Sequence, residues 1–521
     1  MAANNSPITS DSHTGVAANA GDHHVHVAII GTGFSGLGLA IRMKQAGLND
    51  FAIFERASDV GGTWRDNSYP GCACDVPSKL YSFSFAPNAD WSASYSPQAE
   101  IWQYLRRCAA DNDLLPHIHF NHEVMAAKWD ADAGRWQIDT AQGTYFAEVL
   151  IGGMGILSEP AIPELPGLNK FRGETFHSAD WNHEYDLSGK RVAVIGTGAS
   201  AIQFVPQIQP RVKSMTLFQR SAPWILPRTE RKISAFERRL YERVPLLQKV
   251  ARGGIYTMVE SRVIGMAMDA RMLKPFQLIA QAHLKRQVKN AQLRAKLTPN
   301  YAIGCKRILL SNNYYPALTQ PNVEVVTEGV AELRENSVIA SDGSEYEVDA
   351  VIWGTGFHVS DSPMMERIYG NDGRQLSAVF DGSPQAFLGT AVAGFPNMFL
   401  MIGPNTTLGH NSMVYMIESH ITYILGCLRY MQRQQLAAVE VKPDAQARFN
   451  QELQDKMGRT VWMSGGCTSW YIDAKGRNTV LWPSFTWQFR NQTRYFDASA
   501  YKQQPLAVAT GSGTKGKVQK S

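Results

Sequence analysis

The chain has 521 residues, too many for one ordinary core, so two or three domains are expected. Hydrophobic residues make up 44% and charged residues 19%, which fits a packed globular protein and excludes a disordered one. The formal net charge is only +5 with no block of like charges, so nothing marks a nucleic-acid binder.

Residues 1–24 are small and polar, with no apolar leader, and read as a disordered tail. No stretch approaches the roughly 20 apolar residues that a membrane span needs. VHVAII, Val25 to Ile30, predicts a strand that runs into GTGFSGLG. Leu37, Leu39, Ala40 and Met43 then recur at helical intervals, and FAIFER, Phe51 to Arg56, predicts a second strand. This is the βαβ unit of dinucleotide binding. Gly31 permits the tight turn, Gly33 lets the backbone approach a pyrophosphate, and Gly36 lets helix and strand pack closely. The helix N-terminus offers unpaired N–H groups to phosphate. Glu55 ends the second strand, where a carboxylate accepts hydrogen bonds from ribose hydroxyls.

The pattern returns at RVAVI, Arg191 to Ile195, followed by GTGASA, a helical AIQFVPQI and the strand SMTLFQR, Ser214 to Arg220. Gly196 and Gly198 repeat the turn, with Ala201 in third place, and Ser200 and Gln203 join the expected NADP contacts. No acid ends this second strand. Arg220 stands there, and a guanidinium grips a 2′-phosphate that a carboxylate would repel; by itself it also reads as a surface arginine. The second site is expected to prefer NADP. Two dinucleotides in one chain point to electron traffic between a resident flavin and a diffusible nicotinamide.

From about Lys232 to Ala295 the pattern is helical and rich in Arg, Lys and Met. It reads as an insert in the second unit, its basic face solvated over an ordinary apolar stripe rather than laid on a membrane. Strands return at VEVV (Val323 to Val326), SVIA (Ser337 to Ala340) and DAVIWGTGF (Asp349 to Phe357). Residues 506–521 read as a second disordered tail. The expected fold is α/β, with two Rossmann-like dinucleotide-binding domains. A discontinuous FAD domain takes 25–165 and 350–505, and an NADP domain with the helical insert at about 232–295 takes 166–349.

Six cysteines, Cys72, Cys74, Cys108, Cys305, Cys427 and Cys467, form no CxxC pair. In a chain this long a disulfide framework is not expected, and a reduced, cytoplasmic setting is. Cys72-Ala-Cys74 has the wrong spacing for the redox pair of a disulfide reductase. No metal-ligand set and no G-x-S-x-G nucleophile elbow is found.

FRGETFHSADWN places Phe171, Gly173, His177 and Trp181 at the intervals of a known fingerprint. In this respect the chain resembles the type I Baeyer–Villiger monooxygenases, within the class B flavoprotein monooxygenases. Asn182 departs from the Pro or Asp of that pattern. Related flavin-containing monooxygenases usually have Tyr or Phe at the position of Trp181. Gly62, Trp64, Tyr69, Pro70, Gly71 and Asp75 match a second family motif at every spacing. DAVIWGTGF resembles the strand and turn that close the family's flavin domain. The likeness runs from about Val25 to Tyr501, and CTSWYIDAKGRNTVLWP is most similar to the branch that includes 4-hydroxyacetophenone monooxygenase.

The resemblance implies FAD and NADPH as cofactors, O2 and a small-molecule ketone as substrates, and an ester or lactone as product, through a C4a-peroxyflavin. Such chemistry needs a fixed cation that is not a ready proton donor, which suits a guanidinium. In GCKRILLSNNYYP the resemblance makes Arg307 the catalytic arginine and Lys306 a contact of the NADP phosphate or ribose. It has Asp75 orient Arg307 through an ion pair and sets Trp64, Asp75 and Tyr81 among the FAD contacts, Tyr81 against the flavin. Taken alone, Lys306-Arg307 is an ordinary solvated basic pair. The fingerprint would lie on the connection between domains and couple their movement to cofactor binding, unless His177 is a packed structural residue. His410 in GPNTTLGHNS and Trp470 in SWY each read as functional or structural. A monomer or homodimer is implied. Two alternatives remain. Trp181 and Arg307 weigh against an N- or S-oxygenating flavin-containing monooxygenase. The two glycine turns with Arg220 and Arg307 weigh against a non-catalytic flavin-binding scaffold.

Overall fold

The computed structural model describes residues 23–506, so the expected tails lie outside the described residues except at their inner edges. The first strand starts at His23, two residues before the sequence pattern begins, and His23 pairs with Tyr145. At the other end Tyr501–Pro505, too polar to read as a strand, pairs antiparallel with Leu436–Val441.

Short apolar runs build two sheets. FAIF and AVIW are buried along their whole length, as strands covered on both faces must be. In the first sheet His23–Ile30 lies between Phe51–Phe54 and Gly143–Gly152, parallel to both. Met398–Leu400 returns late in the chain to pair with Gly143–Gly152. The second sheet has five parallel strands in the order Val323–Val326, Ser214–Phe218, Arg191–Ile195, Ala350–Trp353, Glu174–His177.

The two sheets share one local design, and it corrects the reading of DAVIWGTGF. Gly31 N–H donates to the Phe54 carbonyl (2.8 Å), and Gly196 N–H donates to the Phe218 carbonyl (3.1 Å). A Cβ on Gly31 would lie 2.8 Å from the Gly153 carbonyl oxygen, and one on Gly196 would lie 2.3 Å from that of Gly354. Ala350–Trp353 with Gly354 therefore does in the second sheet what Gly143–Gly152 with Gly153 does in the first. It sits between Arg191–Ile195 and Glu174–His177 and belongs to the second sheet, not to the flavin unit. The fingerprint segment Glu174–His177 is likewise a sheet strand rather than a free connection.

The insert is helical, with Ala235–Arg243, Pro245–Glu260, Lys274–Gln287 and Ala291–Lys296. It grips the first unit: Lys79 pairs with Glu237 (2.6 Å), Arg252 donates to the Lys79 carbonyl (2.7 Å), and Gln248 donates to the Asn88 carbonyl (2.7 Å). Its outer face is less polar than expected. Phe236, Leu246 and Val250 are exposed beside Arg239, Arg243 and Lys249. Among the described residues no helix is long and apolar enough to cross a membrane.

The cysteine expectation fails at one pair. Cys305 and Cys467 are joined by a disulfide, while the other four cysteines are free. Their Cα atoms stand 6.1 Å apart although 162 residues separate them in sequence, a proximity that spacing along the chain cannot reveal.

Candidate active site

The first glycine turn is shaped for a phosphate group. A Cβ on Gly36 would sit 1.9 Å from the Gly31 carbonyl oxygen, whereas one on Gly33 would meet nothing within 4 Å. Gly31 and Gly36 are thus held by packing, and Gly33 faces open space. The helix Phe34–Gln45 starts at Gly33 with no side-chain cap and no acid in its first turn, so its positive end is uncompensated. Glu55 is buried beside it, accepting from Thr32 N–H (3.0 Å), Thr32 Oγ1 (2.5 Å) and Ala57 N–H (3.0 Å), and paired with Arg65 (2.9 Å). Trp64 Nε1 donates to the Tyr81 hydroxyl (3.0 Å), and Tyr81 stands edge-on to Phe34 on the first helical turn. These residues could hold FAD: open glycine, free helix end, buried acid and aromatic wall lie together.

The second turn repeats the design. Gly198 has nothing within 4 Å of an added Cβ, and Ser200 precedes the helix Ala201–Ile208, which carries no acid in its first turn. Lys306 Nζ donates to the Ser221 hydroxyl (2.8 Å) next to Arg220. Burial pushes the Lys306 amine below its usual range, and the Arg220 charge lowers it further. Neither cation has a carboxylate partner among the described residues, which is the condition a 2′-phosphate would relieve.

Gln203 does something the sequence does not suggest. Its amide donates to the Ala73 carbonyl (2.9 Å) and accepts from the Tyr69 hydroxyl (3.0 Å) and Ala73 N–H (3.3 Å). It clasps the second motif onto the second unit instead of standing free for a nicotinamide cofactor. Gly71 explains the motif's glycine: its φ is +80°, and an added Cβ would lie 2.9 Å from the Gln203 carbonyl oxygen. The segment Tyr69 to Asp75 is thereby seated between the two units, and Asp75 arrives at the boundary.

There Asp75 meets Arg307. Arg307 Nε and Nη2 each donate to one Asp75 oxygen at 2.7 Å, and Nη1 donates to the Leu408 carbonyl (3.3 Å). Burial alone would raise the Asp75 carboxyl, but the Arg307 charge and hydrogen bonds hold it below the usual carboxylate range. The Asp75 charge in turn raises the Arg307 guanidinium above its usual range, so it stays charged. Both side chains remain about 30% open, onto a cleft that they line together with Arg262 and His410. The disulfide anchors the backbone immediately before Lys306 and Arg307 to the loop that leads to Trp470 and Tyr471. Trp470 itself is 51% exposed, which removes the core-tryptophan reading.

The fingerprint residues are packed. A Cβ on Gly173 would lie 2.4 Å from the Asp349 carbonyl oxygen. Trp181 is buried against Phe176 and Phe204, at centroid distances of 5.0 and 5.3 Å. Phe171 packs into the core on the other face of that sheet. Asn182 has its own work: it donates to Glu174 (2.8 Å) and accepts from the N–H groups of Glu184 and Tyr185, a turn that proline could not make. His177 is buried edge-on to Phe357, and burial pushes it down to about 4. It is neutral at pH 7 and unsuited to be a proton donor there.

His420 is also pushed down to about 4 by burial; its Nδ1 accepts from Ile402 N–H (3.2 Å) and its Nε2 donates to the Leu388 carbonyl (3.0 Å). The ordinary value is 6.5. Below it the unfolded chain takes up protons that the folded chain refuses until about 4. The stability from these two neutral histidines is therefore present above the ordinary value and lost as pH falls. Going from pH 7 to pH 5 is expected to cost about 2 kcal/mol for each histidine. Denaturant unfolding at both pH values checks this; His420→Gln should remove about 2 kcal/mol of the pH-dependent loss.

The cleft also holds residues without a motif. His410 Nε2 contacts Glu260 (3.3 Å), and Glu260 is further bound by Asn411 (2.5 Å) and by Thr486 N–H (2.5 Å) and Oγ1 (2.9 Å). Arg262 and Phe276, from the insert, line the same cleft as Gly409 and His410. The loop Gly403 to Ser412 is fixed by Asn405, which donates to the Asn478 (2.8 Å) and Leu481 (3.0 Å) carbonyls. Burial pushes the Cys72 thiol up to about 11 and raises that of Cys74 as well, so neither is a thiolate for redox exchange. Among the described residues no cluster of His, Cys, Asp and Glu could hold a metal ion.

The family model described as Flavin-binding monooxygenase-like matches residues 24–371. A Baeyer-Villiger monooxygenase of Pseudomonas aeruginosa is 52% identical over 480 residues, covering 92% of this chain and 91% of that protein. The structure of cyclohexanone monooxygenase from Rhodococcus sp. Phi1 bound to NADP+ is similar with a TM-score of 0.82 at 26% identity, covering 93% of this chain and 100% of that one. A structure of OTEMO in complex with FAD and NADP is similar with a TM-score of 0.82 at 25% identity, with the same coverage. The paired glycine turns, the Arg307–Asp75 clamp at their boundary and these likenesses agree: the chain belongs to the flavin-binding monooxygenase-like family and, within it, to the Baeyer–Villiger monooxygenases.

Proposed function

We propose that the protein oxidises small ketones to esters or lactones with NADPH and O2, and that Arg307 is the residue on which oxygen insertion depends. The observation that carries this is the Arg307–Asp75 pair, two-pronged and facing a cleft lined by segments of both units and of the insert. Bound FAD supplies oxygen activation, and NADPH supplies the hydride. Gly33, Glu55, Trp64 and Tyr81 would hold the first cofactor, with Gly31 and Gly36 shaping the turn; Gly198, Ser200, Arg220 and Lys306 would hold the second, with Gly196 and Ala201 shaping its turn. Arg307 offers a permanent positive charge to the oxyanion that forms at the substrate carbonyl. It does so without giving up a proton, because Asp75 tightens its hold on that proton. Asp75 fixes the direction of the fork, and Gln203 and Gly71 fix Asp75 by seating its segment on the second unit. The fingerprint strand, next to Gly354 and Phe357, is placed to transmit movement of the second sheet to the cleft. A cytoplasmic, NADPH-supplied setting and a monomeric or homodimeric state complete the reading.

The test is product mass spectrometry. Purified FAD-loaded enzyme, NADPH and air are given aryl, linear and cyclic ketones and one thioether. Products one oxygen heavier than the ketones, identified as esters or lactones, are expected. Sulfoxide without any ester would move the enzyme to the N- or S-oxygenating side of the family and remove the role given to Arg307.

A further inference from the structure

Arg262 follows the last turn of the insert helix Pro245–Glu260 and lines the same cleft as Arg307, Asp75 and His410. The Arg307 charge is met by Asp75. Among the described residues, Arg262 has no hydrogen bond and no carboxylate within ion-pair distance. The acids nearby are engaged: Asp75 by Arg307, and Glu260 by Asn411, Thr486 and His410. Burial disfavours the Arg262 charge, and Arg307 disfavours it again; Tyr95 and Asp75 act in the opposite sense. Its backbone is nonetheless fixed, because Glu260 two residues earlier is bound on both oxygens by Thr486. A half-buried guanidinium without a partner is costly, and a protein that keeps one in a cleft leaves room for an anion.

The wall around it is apolar, with Val259, Met266, Leu273 and Phe276. Apolar lining with one cation left unpaired, the Arg307 charge being met by Asp75, is the form of a site for a molecule with a hydrocarbon body and an anionic end. The fork of a guanidinium matches the two oxygens of a carboxylate. We propose that Arg262 is a specificity-determining residue that selects ketones bearing a carboxylate, gripping the acid group while the carbonyl lies toward Arg307. The inference rests on the ketone-oxidising reading above and names its substrate class. The carboxylate does not react; its binding serves to position the carbonyl at the other end. Arg220 and Lys306 stand beside Ser221 on the nicotinamide side, so Arg262 is not needed for the 2′-phosphate.

The experiment uses FAD-loaded enzyme and matched pairs of ketones, an acetylbenzoate and its methyl ester, and an oxo fatty acid and its methyl ester. Wild-type enzyme is expected to favour each acid over its ester in kcat/KM. Arg262→Leu should lower that acid-to-ester ratio by roughly tenfold to a hundredfold, the worth of a charged hydrogen-bonded contact. Arg262→Lys should restore part of it, since a point charge attracts a carboxylate but does not match its fork. An unchanged ratio in Arg262→Leu overturns the proposal. So does a rise in the KM for NADPH with the ratio unchanged, which would give the guanidinium to the cofactor. A second arm needs no turnover: calorimetric titration with octanoate. Binding that weakens at least tenfold in Arg262→Leu is expected. If wild type oxidises none of these ketones yet octanoate binding depends on Arg262, the anion site stands and the ketone reading falls. If both pairs are oxidised with no dependence on Arg262, the ketone reading stands and the anion site falls.

Discussion

Arg307→Ala is expected to stop ester formation while leaving NADPH oxidation running. The side chain makes three contacts, two to Asp75 at 2.7 Å and one to the Leu408 carbonyl at 3.3 Å, and none involves the second glycine turn. NADPH should therefore still bind, and anaerobic bleaching of the flavin absorbance should stay within a few-fold of wild type. Ester yield should fall by about 10²- to 10³-fold or more, the usual loss when one preorganised donor to a developing oxyanion is removed. Hydrogen peroxide should account for the NADPH consumed. Arg307→Lys should not rescue, because an ammonium cannot span both Asp75 oxygens and the Leu408 carbonyl. Asp75→Asn should fall between wild type and Arg307→Ala: the guanidinium keeps its charge but loses the anion that fixes its fork. A variant Arg307→Ala that still made ester at the wild-type rate would remove the oxyanion role outright.

What is legible in the sequence is backbone chemistry. Gly31, Gly36 and Gly196 are glycines because a carbonyl stands within 3 Å of where a Cβ would be. That requirement repeats wherever a strand turns into a phosphate-binding helix, so spacing reveals it. The Arg307–Asp75 pair, 232 residues apart, is legible only through family likeness. Nothing in GCKRILL distinguishes a clamp from a solvated basic pair. DAVIWGTGF reads as part of the flavin unit yet lies in the second sheet, because both sheets use a strand ending in glycine beside their central strand. Sequence cannot say which neighbour such a strand will find. The Cys305–Cys467 bridge, Gln203's clasp on Ala73 and the Glu260 node are invisible for one reason. Each joins segments far apart in the chain, and neither end carries a pattern that names its partner. Arg262 is the sharpest case, a single arginine in a helical stretch full of them, set apart only by the cleft it faces and the partner it lacks.

The same logic is expected to separate NADPH from NADH. Arg220 is exposed at the end of Ser214–Phe218, and Lys306 is held beside it by Ser221. Two like charges close together repel; the Lys306 amine is lowered first by burial and then by the Arg220 charge. A 2′-phosphate would turn the repulsion into two charge-assisted contacts; NADH, lacking the phosphate, would leave it unrelieved. Arg220→Ala and Lys306→Ala are each expected to raise the KM for NADPH by roughly tenfold to a hundredfold, with little change for NADH. The double variant should lose less than the product of the two. Removing one cation already relieves the other, so the sites are coupled and their effects do not add. Its preference between the two cofactors should collapse toward one. Added salt should weaken NADPH binding to wild type far more than to the double variant, since the contacts it screens are then gone. Steady-state kinetics with both cofactors at two ionic strengths measures all of this. If the double variant kept the wild-type preference for NADPH, the 2′-phosphate would be read elsewhere, and Arg220 would be the surface arginine that its exposure alone suggests.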